Sequence, residues 1–129
     1  MTLAEVNSAV DSYFTAHLDS EYWRDLEAEK KLGAVAMALD DILSILNVTL
    51  ERVTPDSAAV KAVAEQAVYL SRNYESIAEG KITTSESVEG VSAGYTLIGS
   101  NYGISPRAET FIKQSKREFF GGSVRVMRG

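Results

Sequence analysis

The sequence predicts a mainly α-helical domain: a small bundle of about four helices with a protruding β-hairpin arm and a short C-terminal strand. Three observations support this. Apolar residues recur at helical spacing before residue 80, a glycine- and hydroxyl-rich stretch without that spacing follows, and the last segment is basic. We divide the single domain into a three-helix body over 1–80, an extended hairpin arm and loop over 81–104, and a C-terminal helix and basic tail over 105–129.

The first predicted helix begins at a capping box and runs to about Leu18. Thr2 is placed to be the N-cap, and Glu5 is placed to return a hydrogen bond to the backbone of Thr2. A short connector follows, and it carries Tyr22 and Trp23. We expect both aromatic residues to be buried anchors for the first two helices.

Two further helices complete the predicted body. One covers about 27–47 and ends at Asn47, a residue type that tolerates the left-handed conformation found at helix ends. The next begins with Thr54 as N-cap and Pro55 as the first helical residue, and it runs to about Glu79.

The arm is predicted as two short strands, over 82–88 and 91–97, joined by a turn at Glu89-Gly90. A hairpin alone is marginally stable in water. The arm therefore needs to pack on the helices or on a neighbouring molecule.

The last predicted helix begins with Ser105 as N-cap and Pro106 as the first helical residue, and it ends at about Phe120. Gly121-Gly122 is expected to stop it. Alternation of apolar and basic residues over 123–128 then predicts a short strand.

Charge is unevenly distributed along the chain, whose net charge is -5. From Arg107 onward six basic and two acidic residues give +4, so the preceding residues carry -9. No apolar run approaches the roughly 20 residues of a membrane span, no signal peptide is recognisable, and cysteine is absent. We therefore expect synthesis in the cytosol, no disulfide bonds and no membrane contact.

The sequence offers little for catalysis or for binding a cofactor. His17, the single histidine, lies beside apolar residues and is expected to have a structural role. The adjacent acids Asp40 and Asp41 could hold magnesium in principle, but neighbouring helical residues point about 100° apart. Nucleophile and phosphate-loop motifs are absent. We expect no catalytic residue, no metal site and no cofactor.

Nucleic acid could be contacted at the basic end, through Lys113, Lys116 and Arg117. Tyr13 sits in the acidic half of the chain, as Tyr22 and Trp23 do, so stacking on bases is disfavoured. A DNA contact at the basic residues would be to phosphate and indifferent to sequence.

Four segments in a fixed order resemble the head–tail connector family of tailed bacteriophages, which includes adaptor and head-completion proteins and is also catalogued as DnaT-like. The segments are residues 10–18 followed by Trp23, the helix Lys30-Lys-Leu-Gly-Ala-Val-Ala-Met-Ala-Leu-Asp40, the arm over 82–95, and the ending 104–108 through 124–129.

The resemblance implies a virion structural protein that is made in the host cytoplasm and does no covalent chemistry. Identical subunits would form a ring, dodecameric in the virion, beneath the portal, where they would extend the DNA channel. The implied partners are other copies of the chain, the portal protein, a tail or stopper protein and, transiently, the genomic DNA.

Site assignments follow from this expectation. The arm is expected to contact the neighbouring subunit, and the chain end is expected to dock on the portal or on a neighbour. The arm residues are Thr83, Ser85, Val88, Val91, Tyr95 and Leu97, and the docking residues are Arg125, Val126, Met127, Arg128 and Gly129.

Two alternatives remain open at the level of sequence. The first is a single-stranded DNA-binding replication accessory module, which the basic end favours and the acidic body disfavours. The second is a small enzyme that uses carboxylates such as Asp40 and Asp41.

Overall fold

The computed structural model describes residues 1–79 and 103–128, which contain five α-helices and no strand. The mainly helical class is thus confirmed, whereas the predicted hairpin over 82–97 lies outside the described residues. The helices are α1 (Leu3–Phe14), α2 (Ser20–Asp25), α3 (Ala28–Leu46), α4 (Ala58–Glu79) and α5 (Pro106–Arg128), with a 3₁₀ turn at Leu50–Arg52 between α3 and α4.

Helix α4 is the central element, because it packs against α1, α3 and α5. Nearly every residue from 58 to 70 is buried, as expected of a helix that is covered on several sides. All five helices contribute to one apolar core. Its members include Val6, Val10 and Phe14 of α1, Trp23 of α2, Val35, Ala38, Leu39, Ile42 and Leu46 of α3, Val60, Val63, Ala64, Ala67 and Leu70 of α4, and Ile112 of α5.

Helix α1 begins as predicted and ends earlier. The Glu5 carboxylate accepts the Thr2 N–H at 2.7 Å and the Thr2 hydroxyl accepts the Glu5 N–H at 3.2 Å, so the capping box is confirmed. The helix stops at Phe14 rather than near Leu18. After Phe14 the backbone changes to tighter turns, in which the His17 N–H donates to the Phe14 carbonyl. Leu18 consequently leaves the apolar face and is exposed.

The segment predicted as a connector is instead the short helix α2. The Trp23 N–H donates to the Asp19 carbonyl at 2.9 Å, which closes a helical turn. The Trp23 ring stacks on Phe14 at 4.9 Å between centroids, and its indole N–H donates to Asp11 at 2.8 Å. Burial of Trp23 confirms its role as an anchor, and its packing on Phe14 explains why this segment is ordered.

The junction between α3 and α4 follows the sequence signals in part. Asn47 has φ 57°, so it ends α3 in the left-handed conformation, as predicted. Helix α4 begins at Ala58 rather than at Pro55, because residues 54–57 form a separate turn. The Glu118 carboxylate of α5 accepts the Ala58 N–H at 3.1 Å and so satisfies one donor at the start of α4.

Helix α5 begins as predicted and continues further. The Ser105 hydroxyl accepts the N–H groups of Arg107 and Ala108, each at 3.2 Å, which confirms the N-cap. The helix passes through Gly121-Gly122 and reaches Arg128, so the predicted strand over 123–128 is wrong. Glycine in a helix costs only about 1 kcal/mol relative to alanine, and the paired glycines do not stop α5.

The Gln66 side chain fixes the position at which the chain enters α5. Its amide nitrogen donates to the Gly103 carbonyl at 2.6 Å and to the Asp41 carboxylate at 3.2 Å, while its oxygen accepts the Ser105 N–H at 2.9 Å. Gln66 is completely buried. One amide therefore joins α3, α4 and the start of α5.

None of the helices in residues 1–79 and 103–128 combines the length and apolar composition that crossing a bilayer requires.

Replacing Gln66 by alanine should lower the free energy of unfolding by about 3 kcal/mol, because buried backbone groups at Gly103 and Ser105 lose their partner. The measurement is urea unfolding followed by circular dichroism at 222 nm. The control is Gln114→Ala, the same substitution at a half-buried position of α5, with an expected change within about 0.5 kcal/mol. Equal effects at the two positions would contradict the role assigned to Gln66.

Candidate functional site

A buried carboxylate lies at the centre of the described body. Glu65 of α4 is only 3% exposed, and its Oε2 atom accepts from three side chains. The Tyr13 hydroxyl donates at 2.6 Å, His17 Nε2 lies at 2.7 Å and Arg107 Nε lies at 3.1 Å. Donors from α1, from the turn after α1 and from the start of α5 thus meet at one oxygen atom. We call these four residues the Glu65 cluster.

The hydrogen bonds of His17 define its tautomer. Nδ1 accepts the Asp19 N–H at 2.9 Å and therefore carries no proton. Nε2 then carries the ring proton and donates a hydrogen bond to Glu65. The ring is mostly buried, with 14% of its side chain exposed, and both nitrogens are engaged within the chain. This geometry agrees with the structural role predicted for the histidine.

Electrostatics reinforce the cluster. Burial alone would raise the pKa of Glu65, but the hydrogen bonds from Tyr13, His17 and Arg107 outweigh it and hold that pKa below its ordinary value of 4.5. Burial, together with the hydrogen bond to Glu65, raises the pKa of Tyr13 from 10.0 to about 12. Glu65 is therefore a carboxylate and Tyr13 a neutral phenol at neutral pH.

A histidine paired with a glutamate is the arrangement that orients a general base in many enzymes. Such a base needs its second nitrogen directed at a substrate proton. In the Glu65 cluster that nitrogen already accepts the Asp19 N–H. The contacts of the cluster hold helices together and leave no ring nitrogen of His17 open to a ligand.

Asp40 and Asp41 have different surroundings. Asp40 is exposed, whereas Asp41 is half-buried and accepts a hydrogen bond from Gln66. Burial raises the pKa of Asp41, and the negative charge of Asp40 adds to that effect. Within the described residues, no group of three or more histidine, cysteine, aspartate or glutamate side chains is arranged to hold a metal ion.

The predicted contact residues fall in three places. Lys113, Lys116 and Arg117 are exposed on α5. Positions 125–128 belong to the last turns of α5, while Gly129 lies outside the described residues. The predicted arm contacts also lie outside them, at Thr83, Ser85, Val88, Val91, Tyr95 and Leu97.

Trp23 and Tyr22 offer little stacking surface for bases. Trp23 is buried, and one face of the half-buried Tyr22 ring is covered by the Arg72 guanidinium, 4.0 Å from the ring centroid. Arg72 is held there by Asp19, whose carboxylate oxygen lies 2.6 Å from its Nη2 atom. The prediction that these aromatic rings anchor helices therefore agrees with the structure.

The sequence patterns did not indicate the roles of Glu65, Gln66 and Arg107. A signal was present, since Glu65-Gln66 interrupts the buried apolar run of α4 between Ala64 and Ala67. Polar residues on an apolar helix face must find partners when they are buried. That rule predicts that both side chains are hydrogen-bonded, although it does not identify the partners.

Comparison of the chain with protein-family models, with curated proteins and with solved structures finds no match.

The variant Glu65→Gln should lower the free energy of unfolding at pH 7 by about 3 kcal/mol, since an amide would present donors to three existing donors. Folding lowers the pKa of Glu65. The extra stability of the native chain over the variant is therefore complete above pH 4.5, and it is lost as the pH falls through the pKa that Glu65 has in the folded state. Thermal unfolding from pH 7 to pH 3 measures the difference. It should shrink with acidification.

The control is Glu51→Gln, which changes an exposed carboxylate between α3 and α4 and should shift stability by less than about 0.5 kcal/mol. A Glu65→Gln difference that stays constant from pH 7 to pH 3 would contradict the ionised state assigned to Glu65.

Proposed function

We propose that the protein is a structural adaptor of the head–tail connector class. Identical copies form a ring beneath the portal of a phage capsid, extend the DNA channel and offer a docking surface to a tail or stopper protein. The class comes from the sequence resemblance. The helical body supports the proposal, because the two helices that flank the arm in sequence, α4 and α5, pack directly on each other.

The observation that carries the proposal is a connection of 26 residues, from 80 to 105, between two helices that pack directly on each other. Helices α4 and α5 share an apolar core with α1 and α3. Insertions of this length inside a compact domain are uncommon and usually serve a function. A body with its own core can dedicate such an arm to a neighbouring copy, and contacts of one kind repeated around an axis close a ring.

Helix α5 supplies the surfaces proposed for the other partners. Lys113, Lys116 and Arg117 are exposed and would meet the phosphates of DNA without reading its sequence. We assign docking on the portal or on a neighbour to the chain end, from Arg125 to Gly129. Because α5 continues to Arg128, this docking element is a helix end rather than the strand predicted from the sequence.

The proposal places the protein in the virion after synthesis in the host cytoplasm. It assigns no catalytic residue, metal ion or cofactor. Its partners are other copies of the chain, in a ring that the resemblance makes dodecameric, together with the portal protein, the tail or stopper protein and passing genomic DNA.

Deleting residues 83–97 should reduce attachment to portal-containing capsids at least about tenfold, because the contact with the neighbouring copy is lost. Sedimentation of capsids followed by quantification of the bound protein measures attachment. Circular dichroism should show that the helical body persists. A second variant replaces 83–97 by glycine and serine at equal length, which keeps the connection and removes the side chains. Normal attachment of both variants would contradict the proposal.

The alternative function is a single-stranded DNA-binding replication accessory module, and the exposed basic residues of α5 are the observation that favours it. Fluorescence anisotropy with labelled oligonucleotides at about 50 and 200 mM salt separates the two functions. For an adaptor we expect no binding tighter than about 1 μM, because few phosphates are contacted.

Submicromolar binding that weakens steeply with salt would instead support the replication module. In that case substitution of Lys113, Lys116 and Arg117 by alanine should abolish binding. The matched control, alanine at Lys30 and Lys31 of α3, should leave it unchanged.

A further inference from the structure

The single histidine of the chain, His17, is held between two carboxylates. Its Nε2 atom lies 2.7 Å from Glu65 Oε2, and its Nδ1 atom lies 3.9 Å from Asp19 Oδ2. The Asp19 backbone N–H is nearer to Nδ1 and donates to it at 2.9 Å. Asp19 therefore presents both a donor and an acceptor to the same ring nitrogen.

Among residues 1–79 and 103–128, the other charged and titratable groups that face this site are already bound to the two carboxylates. They are Tyr13 of α1 and Arg107 of α5, at 2.6 and 3.1 Å from the Glu65 carboxylate, and Arg72 of α4, at 2.6 Å from the Asp19 carboxylate. Each N–H of a protonated His17 ring would therefore face a carboxylate that is held in place.

A second proton on the ring changes its two nitrogens differently. Histidine ordinarily gains that proton between about pH 8 and about pH 5. Nε2 carries a proton in both charge states, so its hydrogen bond to Glu65 is kept. Nδ1 changes from an acceptor to a donor, and it then meets the Asp19 N–H, which is also a donor. Because two donors cannot share this bond, the turn between α1 and α2 must rearrange.

We propose that protonation of His17 exchanges its bond to the Asp19 N–H for an ion pair with the Asp19 carboxylate, which makes the turn between α1 and α2 a pH-sensitive switch. The proton comes from solvent and is added at Nδ1. Asp19 Oδ2 needs to approach by only about 1 Å to accept the new N–H at the distance of a charge-assisted hydrogen bond. The N–H of the half-buried Asp19 then turns to water.

The exchange is confined to this turn. Asp19 is the N-cap of α2, and the Trp23 N–H keeps its bond to the Asp19 carbonyl. The buried Trp23 ring holds α2 on the core, and the bond to Glu65 holds His17 on α4. The switch therefore leaves the helical body in place. The inference goes beyond the proposed function, and it holds whether or not the protein forms a ring.

Because the chain has one histidine, nitrogen-15 spectra of the ring report this change directly. When the full chain is titrated from about pH 8 to about pH 5, Nδ1 should become protonated while Nε2 keeps its proton. Amide hydrogen exchange at Asp19 should rise at least about fivefold relative to that at Trp23, since only Asp19 loses a hydrogen bond. The ratio removes the general effect of pH on exchange.

An Nδ1 atom that stays unprotonated while the circular dichroism spectrum remains helical, or an exchange ratio that stays constant, would overturn the proposal. The variant His17→Gln has no ring to titrate, and its exchange ratio should not change with pH. A ratio that still rises in this variant would assign the change to another group and would also overturn the proposal.

Two matched variants test the role of the carboxylate. Asp19→Asn keeps the backbone N–H and removes the charged acceptor, so the protonation of His17 should move to lower pH. Glu21→Gln makes the same chemical change at an exposed position of α2 and should move the transition much less. Equal shifts in the two variants would contradict the exchange of partners at Asp19.

Discussion

The buried carboxylate of Glu65 is the constraint on which the arrangement of the described helices depends. A charge on the central helix is costly to bury unless it is paired and hydrogen-bonded. Tyr13, His17 and Arg107 supply the donors, and they come from three different parts of the chain. Helix α1 must therefore end where its last turn presents Tyr13 and the following turn presents His17, and α5 must begin where Arg107 reaches the same oxygen. Gln66, the next residue, imposes a similar condition on α3 and on residues 103–105.

These two adjacent side chains tie the described helices together. Gln66 holds Gly103 against the middle of α4, and Glu118 of α5 satisfies the Ala58 N–H at the start of α4. Helices α4 and α5 are thus tied near both ends of their contact. A fixed junction of this kind suits the proposed adaptor, in which the connection between α4 and α5 is assigned to contact with a neighbouring copy.

Local sequence signals predicted the helix boundaries that depend on hydrogen bonds between nearby residues. They did not predict a boundary that depends on a residue distant in sequence. Thr2, Asn47 and Ser105 end or begin helices through contacts within a few residues, which a sequence pattern can show. The start of α4 depends on Glu118, a residue sixty positions away, and its position could not be deduced from the spacing of Thr54 and Pro55. Likewise, the partners of Glu65 lie 52, 48 and 42 positions away in the sequence. The sequence therefore indicates a buried acid but does not indicate which residues donate hydrogen bonds to it.

The charges of α5 bear on the choice between the two functions. Glu118 is directed at the Ala58 N–H, and no ion pair among the described residues joins Lys113, Lys116 or Arg117 to an acid. Three phosphate contacts correspond to a salt dependence of only about the third power of concentration, which is weak binding at physiological salt. A module that retains single-stranded DNA adds exposed aromatic platforms. Here Trp23 is buried and one face of Tyr22 is covered by Arg72. So few phosphate contacts favour passing contact with DNA over a site that holds it.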